Sequence, residues 1–330
     1  MTYELAYFLF LLFVGLYLCI APIKSRLLYD VTYILLFIGY SLVTRYSGFD
    51  VDILTYESAL RSDSTNIYYL KEPVYWILSR YIFDILGSAE LTFFVYDVLV
   101  FILILKAVKN FNLPQYFPFL YFLFFPSVFG INNVLRQFIS YSFFYYFLSL
   151  VYINARMSKK TLFFILSVLT HNVAALFLPI SFMLKDRIRL NITSIFTTLG
   201  VFLLIPLAVG TKSFSDTGDV NPLLYLSVIF ITTTLFLAVY RLKINNNNAK
   251  YFYMLLYFLC LNSFTITIMG SAQSKRVGMF TLLLILIPIT KIVEEFFVQK
   301  RLARVILYIT LILPTFIFQS SLKFLMTAKI

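Results

Sequence analysis

His171 is the only histidine among 330 residues, and it sits in Leu169-Thr170-His171-Asn172-Val173-Ala174-Ala175. Arg136 interrupts a second apolar stretch, in Asn132-Asn133-Val134-Leu135-Arg136-Gln137. Ionisable groups are costly in hydrocarbon, so one found within an apolar run is a functional candidate by default. A guanidinium can bind diphosphate oxygens through paired N–H donors, which an ammonium does poorly. An imidazole can donate to a leaving group or assist proton transfer from a hydroxyl. Each residue also has a plainer role open to it. Arg136 suits an interfacial helix start, snorkelling and capped by Asn132 or Asn133. His171 suits a hydrogen bond between helices.

The carboxylates form a second set. Asp50 and Asp52 share a face on an extended segment and diverge on a helix. Glu72 directly precedes Pro73, where a negative charge favours a helix N-terminus. These acids could orient a hydroxyl, act as base or supply oxygen ligands to a divalent ion, although their spacing demands no metal. Asp97 lies mid-span between Tyr96 and Val98, where the default is a buried partner to an arginine. In Ser271-Ala272-Gln273-Ser274-Lys275-Arg276, a further arginine stands at a late helix start.

The elements that must position these groups are membrane helices. The chain is 61% hydrophobic and only 13% charged, too few charges to cover a soluble fold. About ten spans are expected, near 3–21, 27–44, 89–108, 113–130, 135–153, 191–210, 222–240, 251–269, 277–292 and 302–320, at about 20 residues per crossing. Residues 73–86 mix Trp76, Tyr75 and Tyr81 with Arg80 and Asp84, as an interfacial helix would. With the polar outer loop 45–72, everything belongs to a single transmembrane domain, 1–330. The opening Met-Thr-Tyr-Glu lacks a basic region, so the first apolar run should remain as a span. Cys19 and Cys260 lie in apolar runs and read as packing residues. The net charge of +12 resides in short loops, without a basic stripe interleaved with stacking aromatics, which argues against nucleic acid.

Segment 161–184 is either one crossing or a hairpin of two half-helices. With a hairpin, the majority of the 27 lysines and arginines fall on the cytoplasmic side. These include Arg156, Lys159 and Lys160, the run Lys185, Arg187 and Arg189, and Arg241, Lys243 and Lys250. A single crossing leaves fewer than half inside, so charge favours the hairpin with both termini outside. A broken backbone at that depth must line a protein-walled cavity. The same assignment gathers Asp50, Asp52, Tyr56, Glu72, Arg136, Gln137, Lys275 and Arg276 on the outer side. Counting from the loops, Arg136 stands roughly 27 Å up its helix and His171 roughly 16 Å up, at 1.5 Å per residue. An outward cleft reaching mid-bilayer fits both. Tyr46, Tyr56, Tyr68, Tyr69 and Tyr75 could stack on sugar faces or form an interfacial aromatic belt.

The order of these pieces resembles the EpsG-like branch of the Wzy-type bacterial polysaccharide polymerases. An outer loop with Asp50, Asp52 and Tyr56 leads to Glu72-Pro73-Val74-Tyr75, then Leu135-Arg136-Gln137, then His171-Asn172-Val173-Ala174, then Arg276 at a late helix start. The resemblance covers about 45–280. Two departures stand out: Phe138-Ile139-Ser140 where the family has a small residue after Arg–Gln, and Asn172-Val173 where it commonly has a serine.

That resemblance implies a GT-C-like membrane glycosyltransferase in the bacterial inner membrane, with its active site facing the periplasm. It would use undecaprenyl-diphosphate-linked oligosaccharides as donor and acceptor, with no cofactor, and build O-antigen, capsule or exopolysaccharide. Arg136 and Arg276 would hold the diphosphate, with Gln137, Tyr56 and Lys275 also binding substrate. His171 would contact the leaving group or acceptor, and Asp50, Asp52 or Glu72 would orient the acceptor or act as base. A chain-length regulator and a flippase are further candidate partners, beside membrane lipid. The chief alternatives are a lipid-linked oligosaccharide flippase, which should show a repeat relating its halves, and an O-antigen ligase.

Overall fold

The computed structural model describes residues 2–62, 67–184, 192–209, 221–240 and 248–326. The basic residues Lys185, Arg187, Arg189, Arg241 and Lys243 used in the charge count lie outside the described residues, as does the side chain of Tyr68. Among the described residues the regular structure is helical throughout. The chain is an all-α polytopic membrane protein.

In chain order the helices are α1 (Tyr3–Ile20), α2 (Arg26–Tyr46), α3 (Val51–Arg61), α4 (Pro73–Leu86), α5 (Ala89–Asn110), α6 (Phe117–Leu123), α7 (Phe125–Asn132) and α8 (Leu135–Tyr152). They continue as α9 (Met157–Thr170), α10 (Ile180–Met183), α11 (Ile192–Val209), α12 (Pro222–Val239), α13 (Ala249–Ile268), α14 (Ser271–Phe296), α15 (Lys300–Ile317) and α16 (Gln319–Met326). Short 3-10 turns occupy Ile67–Lys71 and Asn172–Phe177. Side-chain caps start several helices: Ser25 Oγ accepts from the Leu28 N–H and Ser88 Oγ from the Leu91 N–H. Gly87, with φ of +68°, ends α4 in the left-handed conformation that favours glycine.

Among the described residues six helices are long and apolar enough to cross a membrane: α1, α2, α5, α12, α13 and α14. Counting the pair α15–α16 as one span makes seven. The expected span 113–130 is interrupted at Phe124, between α6 and α7. Pro126 explains the break, since it has no N–H for the Phe122 carbonyl and its ring crowds that oxygen. The expected span 302–320 is likewise bent, by 82° between α15 and α16. The outer loop 45–72 is largely ordered into α3 and the first 3-10 turn rather than extended.

Contacts divide the chain into two units. The first comprises residues 1–149, 156–172 and 299–330. Its core is aromatic: Phe37 of α2 lies against Tyr33, Phe101, Phe119 and Phe122. Within this unit α9 runs antiparallel beside α8, with Phe163 against Phe143 and Tyr146 and Ser167 bonded to Ser140. The second unit comprises residues 150–155 and 173–298. There α12, α13 and α14 pack together, Asn262 donates to Thr281 at 2.8 Å, and Phe177 stacks on Phe280.

Candidate active site

Three helix ends of the first unit meet at one carboxylate. Glu72 is the N-cap residue of α4, and Pro73 occupies the first helical position, where a fixed φ and a missing N–H cost nothing. A residue before proline is kept out of the helical region, so Glu72 adopts φ −139° and ψ 61°. Its side chain does not cap its own helix. Instead, Oε2 accepts from Arg136 Nη1 and Oε1 is 2.5 Å from His171 Nδ1. Both links are long-range, spanning 64 and 99 residues.

Arg136 comes from the first turn of α8 and His171 from the C-terminal end of α9. There the helix stops, because His171 is extended at φ −157° and ψ 119°. Its N–H still closes on the Ser167 carbonyl, and its carbonyl accepts from Ser140 Oγ at 3.3 Å. The break expected within 161–184 therefore falls at the histidine itself. The expected depth difference between Arg136 and His171 is not found. Counting from the loops assumed a common starting plane, whereas the register of α9 on α8 brings residue 171 level with the first turn of α8.

The site is enclosed. Glu72 is 4% exposed and His171 5%, and the Arg136 side chain 15%. The guanidinium lies over the rings of Trp76 (4.9 Å), Tyr56 (5.1 Å) and Tyr75 (6.0 Å). Cation–π attraction is strongest when, as here, the partners are desolvated. Tyr56 and Tyr75 thus pack around an arginine with buried faces, while Tyr69 lies against Trp76 and under Arg80. Tyr46 is exposed. Burial pushes the Tyr75 phenol well above its ordinary value, helped by Tyr56 and Tyr96 and opposed by Arg136 and Arg45, so it stays neutral.

The remaining candidates fall into place around this centre or elsewhere. Asp50 is the N-cap residue of α3, and its Oδ2 accepts from Asn133 Nδ2 at 2.6 Å, three residues before Arg136. Asp52 lies in the first turn of α3, half-buried, so the two acids diverge as helix geometry requires. Gln137 is buried beside Arg136 on α8. Asn132 donates back to the Val128 carbonyl and Asn133 turns to Asp50. Lys275 and Arg276 lie in the second turn of α14, in the second unit, rather than at its start, because the helix already begins at Ser271. Among the described residues no group of three or more His, Cys, Asp or Glu could hold a metal ion.

One feature of the site was only half legible. Asp97 does pair with an arginine: Arg45 of α2 meets it twice, Nη2 to Oδ1 at 2.7 Å and Nε to Oδ2 at 2.8 Å. Ser41, one turn before Arg45, adds a third bond to Asp97 at 2.5 Å. The signal was a lone carboxylate inside α5 with a cation on a neighbouring span. Trp76 gave no signal of its own beyond an interfacial aromatic.

As a catalytic constellation, a cation and an imidazole aligned by one carboxylate can bind an anionic leaving group and move a proton beside it. The N-termini of α4 and α8 add their positive ends. A model of the EpsG family matches residues 30–325 of the chain. No curated protein and no solved structure matches it.

Proposed function

Since the chain belongs to the EpsG family, and so is a membrane protein of polysaccharide biosynthesis, we propose that it is the repeat-unit polymerase of such a pathway. Its substrates are two undecaprenyl-diphosphate-linked oligosaccharides, one donor and one acceptor, met at the periplasmic face of the bacterial inner membrane. The observation that carries this reading is the convergence of Arg136 and His171 on Glu72.

In the proposed step, an acceptor hydroxyl attacks the anomeric carbon of the donor. The new C–O bond forms as the bond to the diphosphate oxygen breaks, and undecaprenyl diphosphate leaves with the electron pair. Arg136 binds the diphosphate oxygens and stabilises the charge that develops there. Glu72 accepts from Nδ1 of His171 and so fixes the ring's tautomer, which leaves Nε2 to take the acceptor's proton. No nucleotide enters this step.

A deletion strain tests the reading. Loss of a polymerase collapses the cell's polysaccharide to single repeat units. Loss of a flippase removes repeat units from the outer face altogether, and loss of a ligase leaves long chains on the lipid carrier. Either of the latter two patterns would overturn the proposal.

A further inference from the structure

We infer that the buried Arg45–Asp97 pair, with Asp50, is a positioning device for Arg136 that works through the α7–α8 junction. Asp97 is wholly buried and Arg45 2% exposed. An ion pair so desolvated seldom stabilises a fold more than apolar residues of the same volume would. Its geometry gives a more specific account. Two nitrogens of the Arg45 guanidinium, Nε and Nη2, are committed to Asp97, and the third, Nη1, donates to the Ile131 carbonyl at 3.1 Å. Ile131 lies in the last turn of α7, whose carbonyls have no helical partner and attract a cation.

Two residues further on, Asn133 is held by Asp50. Both grips therefore come from residues 45 and 50, at the end of α2 and the start of α3. They close on residues 131 and 133, and Arg136 follows three residues later. Arg136 must reach Glu72 and lie over Trp76 at 4.9 Å at once, so its helix start has little latitude. Misplacing a catalytic group by about 1 Å can cost ~100-fold in rate. This assignment makes Asp50 a clamp rather than a proton carrier. It rests on the proposed role of Arg136 only for its consequence on activity.

Trp76 is the chain's only tryptophan and touches Arg136, so its fluorescence reports that residue's position. The experiment compares the emission of full-length protein in detergent with that of Arg136→Ala and Arg45→Lys. Arg136→Ala should shift the emission to longer wavelength as water replaces the guanidinium. Arg45→Lys keeps a charge on Asp97 but lacks the fork that reaches Ile131. It should reproduce at least half of that shift and cut long-chain product about tenfold. If Arg45→Lys does not fold, Arg45→Met with Asp97→Leu leaves no buried charge and replaces it. An Arg45 variant with unaltered Trp76 emission would overturn the inference, as would an Arg136→Ala protein with unaltered emission. Full-length chains from Arg136→Ala cells would instead refute the diphosphate-binding role given to Arg136 while leaving the positioning result standing.

Discussion

Glu72 Oε1 and His171 Nδ1 are 2.5 Å apart, although the loop preceding α4 and the end of α9 are 99 residues from each other in sequence. The same carboxyl group holds Arg136 through its other oxygen. One residue therefore sets the orientation of both groups on which the proposed chemistry rests, and it can do so because a following proline keeps it off its own helix.

Arg136→Ala and His171→Ala should each give stable, membrane-inserted protein with little or no long-chain polysaccharide. Removing one preorganised donor from a transition state typically costs about 100- to 1,000-fold. Gel ladders of the cell's polysaccharide measure the outcome. Normal ladders from both variants would dismantle the site.

Glu72→Ala removes the carboxylate that Arg136 and His171 share. Breaking a buried pair from one side typically destabilises by about 3 kcal/mol. Adding Arg136→Ala should recover much of this loss, since it also removes the stranded cation. Thermal melts of the two single variants and the double variant in detergent close the cycle, and additive losses would count against coupling.

Gly130→Ala should disturb the α7–α8 corner directly. A Cβ there would stand 2.6 Å from Cδ2 and 3.0 Å from Cβ of Phe138, too near the backbone of α8 for that ring to yield. Overpacking of this kind costs about 1–3 kcal/mol. Product should fall further than stability, because the strain is applied at Phe138, two residues along α8 from Arg136. Equal activity per folded molecule would show that the corner does not govern the site.

Topology is open to thiol labelling in a background carrying Cys19→Ser and Cys260→Ser. With a membrane-impermeant maleimide on intact spheroplasts, Ser58→Cys on exposed α3 should react and Ser158→Cys at the start of α9 should not. The reverse pattern would put the acids of α3 on the cytoplasmic side and refute a periplasmic site.

The polar residues that stand out in an apolar sequence led to the site, because hydrocarbon penalises them whatever the fold. Glu72-Pro73 announced a helix start, and Arg136 and His171 announced themselves by being out of place. Depth was harder to read. Residue counts along α8 and α9 give lengths but no relative register, which Ser140, Ser167 and the rings of Phe143 and Phe163 settle through packing. Phe124 and Phe318 look like any other lipid-phase aromatic, yet both mark breaks, the first of which follows from the nearby Pro126. The Arg45–Asp97 partnership was foreseeable in kind. Its third bond, to the Ile131 carbonyl, involves a backbone atom that no side-chain pattern encodes.

The salt bridge at Glu72 also bears on selectivity. On the proposed reading, any anion arriving at Arg136 must displace a carboxylate already tethered beside it, whose effective concentration lies in the millimolar range or above. Stray chloride or inorganic phosphate competes poorly against such an occupant. A diphosphate brings more charge and several acceptor oxygens, and its polyprenyl tail keeps it close by in the membrane. The resting protein would thus be self-neutralised, and only cargo carried on the lipid would exchange for its built-in counterion.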